Sequence, residues 1–174
     1  MDQIWFKAYT VYQKDPRILD EWLKVVEEDP IKALETARKL TVAEVIPDTL
    51  TLGFSPQILV AILAVNYPSP VNVITSPEVA QGTYPAARHS YKTLKVYSEV
   101  GLISQITITP MTPTEQFTPK QVIEEVKRTI EKIRPQILDI SGGTQLVAIA
   151  AVQAKIKLTY TYPQGKQVKI YTIT

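Results

Sequence analysis

The chain has no cysteine, so neither a disulfide framework nor a thiolate zinc site can form. It has one histidine, His89, which excludes the usual histidine-clustered metal centres. No metal site and no cofactor are therefore expected. No apolar run approaches the roughly 20 residues of a membrane span, and the opening MDQIWFKAYT lacks the apolar stretch of a signal peptide. Neither charge sign dominates: 19 Lys and Arg stand against 17 Asp and Glu, for a net charge of +2. That balance argues against a general DNA-coating surface, and direct DNA binding is not expected. A cytoplasmic protein with no membrane partner is expected. Two nucleotide signatures are also missing. There is no G-x-x-x-x-G-K-[ST] phosphate loop, and the first predicted strand is not followed by G-x-G-x-x-G, which sets aside P-loop NTPases and dinucleotide oxidoreductases.

What is present suits one compact domain. The chain has 174 residues, 45% of them apolar, enough to bury a full core. Ile4 to Val11 alternates in the manner of a strand. Asp15-Pro16 and Asp29-Pro30 each place a capping carboxylate before a proline, the start signal of a helix. The first helix carries Ile18, Trp22, Val25 and Val26 on one face, and the second, beginning at Ile31 and Leu34, fades before Pro47. Residues 1–48 thus form an N-terminal helical extension, a strand plus two helices.

Residues 49–174 alternate strand and helix. Strands are predicted at Leu50–Phe54, Val71–Ile74, Leu102–Ile108 and Ile137–Ile140. Helices are predicted at Pro56–Val65, Ala86–Val100, from Thr118-Pro119 through Val122, Val126 and Ile130, and at Leu146–Val152. Lys155–Tyr162 and Gln167–Ile173 flank Pro163-Gln164-Gly165-Lys166 as a closing β-hairpin. The fold class that follows is α/β: a Rossmann-like parallel sheet with helices on both faces and a C-terminal hairpin.

In such sheets ligands gather beyond the C-terminal strand ends. Four loops qualify: Gly53-Phe54-Ser55-Pro56-Gln57, Thr75-Ser76-Pro77, Thr109-Pro110-Met111-Thr112, and Asp139-Ile140-Ser141-Gly142-Gly143-Thr144-Gln145. In the last, two glycines let backbone approach a ligand, a helix N-terminus follows, and Ser141 and Thr144 add hydroxyl donors. A tight strand-to-helix turn with no ligand explains the same glycines. Ser55, His89 and Asp139 do not make a hydrolase triad. Ser55 lacks the G-x-S-x-G elbow, and His89 falls inside a helix, where a solvated ring is expected.

The order of elements, LGFSPQ after the first strand of this alternation and LDISGGTQLVAIAA at the fourth, resembles the CARF (CRISPR-associated Rossmann fold) domain. Asp139, Ser141, Gly142, Gly143 and Thr144 match that family's D-x-[ST]-G-G-[TS] pattern, and the likeness spans about Leu50 to Thr174. The resemblance implies binding of cyclic oligoadenylate, above all cyclic tetraadenylate, the messenger of type III CRISPR antiviral defence. It also implies a homodimer whose paired loops hold one ring. The ligand-binding residues would be Phe54, Ser55, Pro56, Gln57, Thr75, Ser76, Ser141, Gly142, Gly143, Thr144 and Gln145. Arg88 and Lys92, with Lys95, share a helix face that could supply cations, although a solvated basic face explains them as well. No effector segment is expected after the hairpin, and His89 lacks the upstream arginine of a HEPN ribonuclease. A stand-alone member similar to ring nucleases is therefore expected. In that class a ribose 2′-OH attacks its own phosphodiester without metal, leaving a 2′,3′-cyclic phosphate, and Ser55 would be the catalytic positioning residue. Gln145 departs from the lysine or arginine that many members carry. That departure keeps open a non-catalytic sensor or regulatory binder, and an unrelated Rossmann-like nucleotide binder remains a third reading.

Overall fold

A computed structural model describes residues 4, 7, 8, 15–164 and 166–174. The strand expected over 4–11 falls largely outside them, and the three positions described there, Ile4, Lys7 and Ala8, are helical. Ile4 and Ala8 are four apart, a spacing that shares a face in a helix as well as in a strand, so the alternation was ambiguous. Helices α1 (Pro16–Glu28) and α2 (Pro30–Leu40) start where the sequence signals. Asp15 and Asp29 accept from the amides of Arg17 and Lys32, with proline in the first turn.

The remaining elements are β1 (Thr41–Ala43), β2 (Thr49–Leu52), α3 (Pro56–Asn66), β3 (Val71–Thr75), α4 (Pro77–Gln81), α5 (Arg88–Glu99), β4 (Ile103–Ile108), α6 (Pro119–Ile133), β5 (Ile137–Asp139), α7 (Gln145–Gln153), β6 (Lys157–Gln164) and β7 (Gln167–Thr172). All seven strands join one sheet in the order β1-β7-β6-β5-β2-β3-β4. β6, β5, β2, β3 and β4 run parallel; β7 returns antiparallel to β6 as the expected hairpin, and β1 lies parallel to β7. The fold is the mixed, mostly parallel α/β sheet of a Rossmann-like protein. β1 was not foreseen, because three residues are too few for alternation to register. It ties the N-terminal extension into the sheet through Thr41, Val42 and Ala43 opposite Val168, Lys169 and Ile170.

Two cores lie on opposite sheet faces. One joins α1, α2, α3 and α5 to Leu50, Leu52, Val71 and Val73. The other joins α6 and α7 to Ile74, Leu138 and Leu158. α3 is apolar on every side and buries nine of its residues, from Pro56 to Ala64. It can do so because α2 packs against it from outside the sheet layer, and each fully buried Leu or Ile there contributes roughly 1.5–3 kcal/mol. α7 is just as free of charge but has no such outer cover, and Ile149 and Val152 stay exposed. Among the described residues no helix is long and apolar enough to cross a membrane.

The topology fixes where a ligand belongs. β2 is bonded to β3 on one side and to β5 on the other. The chain leaves β2 toward one half of the sheet and returns at β5 to begin the other, which opens a crevice at their C-terminal ends.

Candidate functional site

A cavity of about 660 Å³ occupies that crevice, within the roughly 300–1,000 Å³ usual for small-ligand sites. Its walls are the loops after β2 (Gly53 to Ser55), β3 (Ser76, Glu78, Tyr84), β4 (Met111 to Thr114) and β5 (Ser141 to Thr144).

The β5 loop is held from beneath by one buried carboxyl. Asp139 is fully buried. One of its oxygens accepts from the Ser141 amide at 3.1 Å and from the Ser141 hydroxyl. The other accepts from the hydroxyls of Thr159 at 2.8 Å and Thr161 at 2.7 Å. Burial pushes the Asp139 carboxyl above the usual carboxylate range, against the four hydrogen bonds that pull it down. Ser141 Oγ also accepts from the Thr161 amide at 2.7 Å, tying the loop to β6. Thr144 caps α7: its hydroxyl accepts from the Val147 amide and donates to the Met111 carbonyl at 2.6 Å. The hydroxyl protons of Ser141 and Thr144, expected to serve a ligand, are therefore spent inside the protein, since each hydroxyl has one to give.

The glycines of these loops have a structural reason of their own. A Cβ on Gly142 would lie 2.2 Å from the Thr51 carbonyl oxygen, and one on Gly53 would lie 2.2 Å from that of Gly142. A Cβ on Gly143 would meet the Val147 side chain at 2.6 Å. Gly53 and Gly142 let the β2 and β5 loops touch backbone to backbone, and Gly143 makes room for Val147 of α7.

The β2 loop is built differently. Ser55 is the N-cap of α3, yet its side chain makes no cap hydrogen bond. Asp15, Asp29, Ser76, Thr118 and Thr144, at the starts of other helices, all cap with their side chains. Among the described residues the Ser55 hydroxyl has no hydrogen-bond partner, and Ser55 lines the cavity. Next to it Phe54 is 44% exposed and stacks on Tyr84, 51% exposed, with ring centroids 5.8 Å apart at 25°. Two aromatic faces so exposed at the rim form a ready surface for a flat ring. Among the described residues of the wall, Glu78 is the one charged side chain. Positive potential comes from the N-terminal ends of α3 and α7, whose first-turn amides have no intrahelical acceptor.

Of the expected ligand-binding residues, Phe54, Ser55, Ser76, Ser141, Gly142, Gly143 and Thr144 line the cavity, and four do not. Pro56 is buried in the first turn of α3. Gln57 is 2% exposed and donates its amide to the Ala8 carbonyl at 2.8 Å. Thr75 is buried and donates to the Leu52 carbonyl at 2.7 Å, bridging β3 to β2. Gln145 points outward at the start of α7.

Arg88, Lys92 and Lys95 do not reach the wall either. Arg88 pairs with Asp20 of α1 at 2.7 Å. His89, expected in solvent, is 6% exposed and bonds the same Asp20 oxygen at 2.7 Å. The hydrogen bond from His89, with help from Arg88 and Lys92, holds the Asp20 carboxyl below its ordinary range. The reason for the misplacement is non-local: α1 covers α5, which the local pattern cannot reveal.

Glu78, Tyr84, Pro113 and Thr114 are wall residues that the sequence reading missed. Ser76-Pro77 repeats the cap-plus-proline signal of α1 and α2, and would have placed α4 and with it Glu78. Among the described residues no group of three or more His, Asp or Glu converges as metal ligands do. Compared with known proteins, the chain matches no family model and no curated protein.

Proposed function

We propose that this cavity binds a cyclic oligoadenylate, with cyclic tetraadenylate the leading candidate. The observation that carries the reading is Ser55, whose hydroxyl has no partner among the described residues, beside the stacked Phe54 and Tyr84 at the switch point between two helix N-termini. An adenine stacks on the aromatic pair. Phosphates sit at the N-terminal ends of α3 and α7, where backbone dipoles attract them without a lysine. Glu78 repels phosphate and accepts from an adenine amino group or a ribose hydroxyl. The D-x-S-G-G-T run supports the same ligand by its likeness to the CARF family. One cavity of 660 Å³ holds only part of a ring of four nucleotides. A homodimer with paired cavities completes the site by two-fold symmetry.

Cleavage, where it occurs, is self-cleavage of the ligand. A ribose 2′-oxygen bonds to the adjacent phosphorus, the bond from phosphorus to the 5′-oxygen breaks, and the electron pair leaves with that oxygen. The 2′-OH proton goes to solvent and the 5′-oxygen takes one up, leaving a 2′,3′-cyclic phosphate and a 5′-hydroxyl. Ser55 would hold the phosphate in line, and the helix termini would stabilise the developing charge. Incubation with cyclic tetraadenylate followed by mass analysis tests this: linear products ending in 2′,3′-cyclic phosphate mark a ring nuclease. An intact ring that nevertheless binds marks a sensor, which the outward-facing Gln145 favours. No binding at all ends the proposal.

A further inference from the structure

The α6 and α7 layer does not reach across the whole sheet. On that face it covers Ile74, Leu138 and Leu158, and side chains two and four residues on from Leu158 project to the same side. These are Tyr160, 38% exposed, and Tyr162, 50% exposed. Directly opposite them on β7 stand Tyr171 and Lys169, and beyond Lys169 on β1 stands Val42, also exposed. Cross-strand partners share a face, so three tyrosines and a lysine form one open aromatic surface. Tyr160 and Tyr162 are stacked at 6.4 Å and 28°, and the Lys169 ammonium lies 5.8 Å from the centre of the Tyr171 ring.

The segment that builds this surface carries charge of one sign. After Asp139 the chain holds Lys155, Lys157, Lys166 and Lys169 and not one aspartate or glutamate. The overall +2 hides this, because the rest of the chain is net acidic. Glu44, the acid that reaches β7, accepts from the Thr172 amide at 3.2 Å. We propose that the open face of the β6–β7 hairpin is a platform for a single-stranded oligonucleotide, whose bases stack on Tyr160, Tyr162 and Tyr171 while Lys169 meets its phosphates. Sheet-borne aromatics with interleaved cations suit this ligand because every base has a stacking face. A second copy of the chain suits it less. A two-fold contact leaves Lys169 with no carboxylate from the same segment to pair with.

None of these residues lines the cavity at the switch point, so this inference stands apart from the proposed messenger site. Fluorescence anisotropy with labelled oligo(U) RNA and oligo(dT) DNA of about 12 nucleotides, titrated with the full chain, tests it. Binding of either probe is expected, and the preferred probe identifies the sugar. The double variant Tyr160→Ile, Tyr162→Ile keeps strand-forming side chains and should weaken binding about tenfold or more, with unchanged circular dichroism and melting. Lys169→Gln should reduce the slope of log K against log salt by about 0.7 to 1. Failure of both probes to bind at about 50 mM salt overturns the proposal, as does unweakened binding by the folded tyrosine variant. So does binding lost in Phe54→Ala but kept in the tyrosine variant, which would put the oligonucleotide in the cavity. A dimer in ultracentrifugation that the tyrosine variant dissolves would assign the face to a second copy and overturn it too. Cyclic tetraadenylate binding in the tyrosine variant should match the unaltered chain, so either proposal can fail without the other.

Discussion

The two loops that meet at the switch point are built in opposite ways. After β5, every side-chain hydrogen-bonding group from Asp139 to Thr144 is committed within the protein: Asp139 to four donors, Ser141 to Asp139 and the Thr161 amide, Thr144 to Met111 and Val147. After β2, Ser55 leaves its helix uncapped and Phe54 is largely exposed. The loop with the glycine motif is thus the frame, and the β2 loop presents Phe54 and Ser55 to the cavity. A glycine-rich run marks where backbones crowd together, which in this molecule means two strands of the same chain.

Breaking the frame should have the largest effect. Gly142→Ala puts a methyl group 2.2 Å from the Thr51 carbonyl oxygen, where backbone rather than a flexible side chain must move. The variant should lose about 3 kcal/mol, the upper end of the usual overpacking cost, as read by urea denaturation. A loss below about 0.5 kcal/mol, typical of open surface sites, would mean that the two loops do not abut as described.

The buried carboxyl sharpens the same contrast through pH. Burial raises Asp139 in the folded chain, so its proton is held more tightly folded than unfolded. Its contribution to stability is fully present below the unfolded value, near pH 4, and is lost as pH rises through the higher folded value. Asp139→Asn keeps the shape without the titration. The difference in unfolding free energy between the two proteins should therefore change across that window and level off above it. Parallel stability curves at every pH would show that Asp139 does not titrate as its burial requires.

Ser55→Ala should have the smallest effect on stability. With no cap bond to lose, the change should stay within about 0.5 kcal/mol, whereas Ala at a working Ser or Thr cap typically costs about 1 kcal/mol. Thr144→Ala, which does break a cap, is the natural companion measurement. Equal losses from the two would erase the difference between the loops.

The sequence made the architecture legible because its strongest signals are local. Cap-plus-proline pairs mark α1, α2 and α6, and apolar runs mark β2, β3 and β5. The hairpin followed from alternation around a turn-forming segment. What escaped was non-local or too short. β1 needs β7 to exist as a strand, and His89 is buried only because Asp20, 69 residues earlier, closes over it. In the site, the crevice and its loops could be placed from topology, and Phe54 and Ser55 with them. Tyr84 could not, since it lies between α4 and α5 and meets Phe54 only in the folded chain. Hydroxyls of Ser141 and Thr144 looked available because a sequence does not reveal which partners a side chain has already found.

Isothermal titration with cyclic tetraadenylate tests the central claim most directly, comparing the unaltered chain with Phe54→Ala. The exposed Phe54 ring contributes little to the core, so melting should be unchanged. Loss of one base-stacking surface, worth about 1–3 kcal/mol, should weaken binding by roughly tenfold. Binding by the unaltered chain, weakened in the folded variant, is the predicted result. Equal affinity in both proteins, or no binding in either, would contradict a ligand site built on the β2 loop.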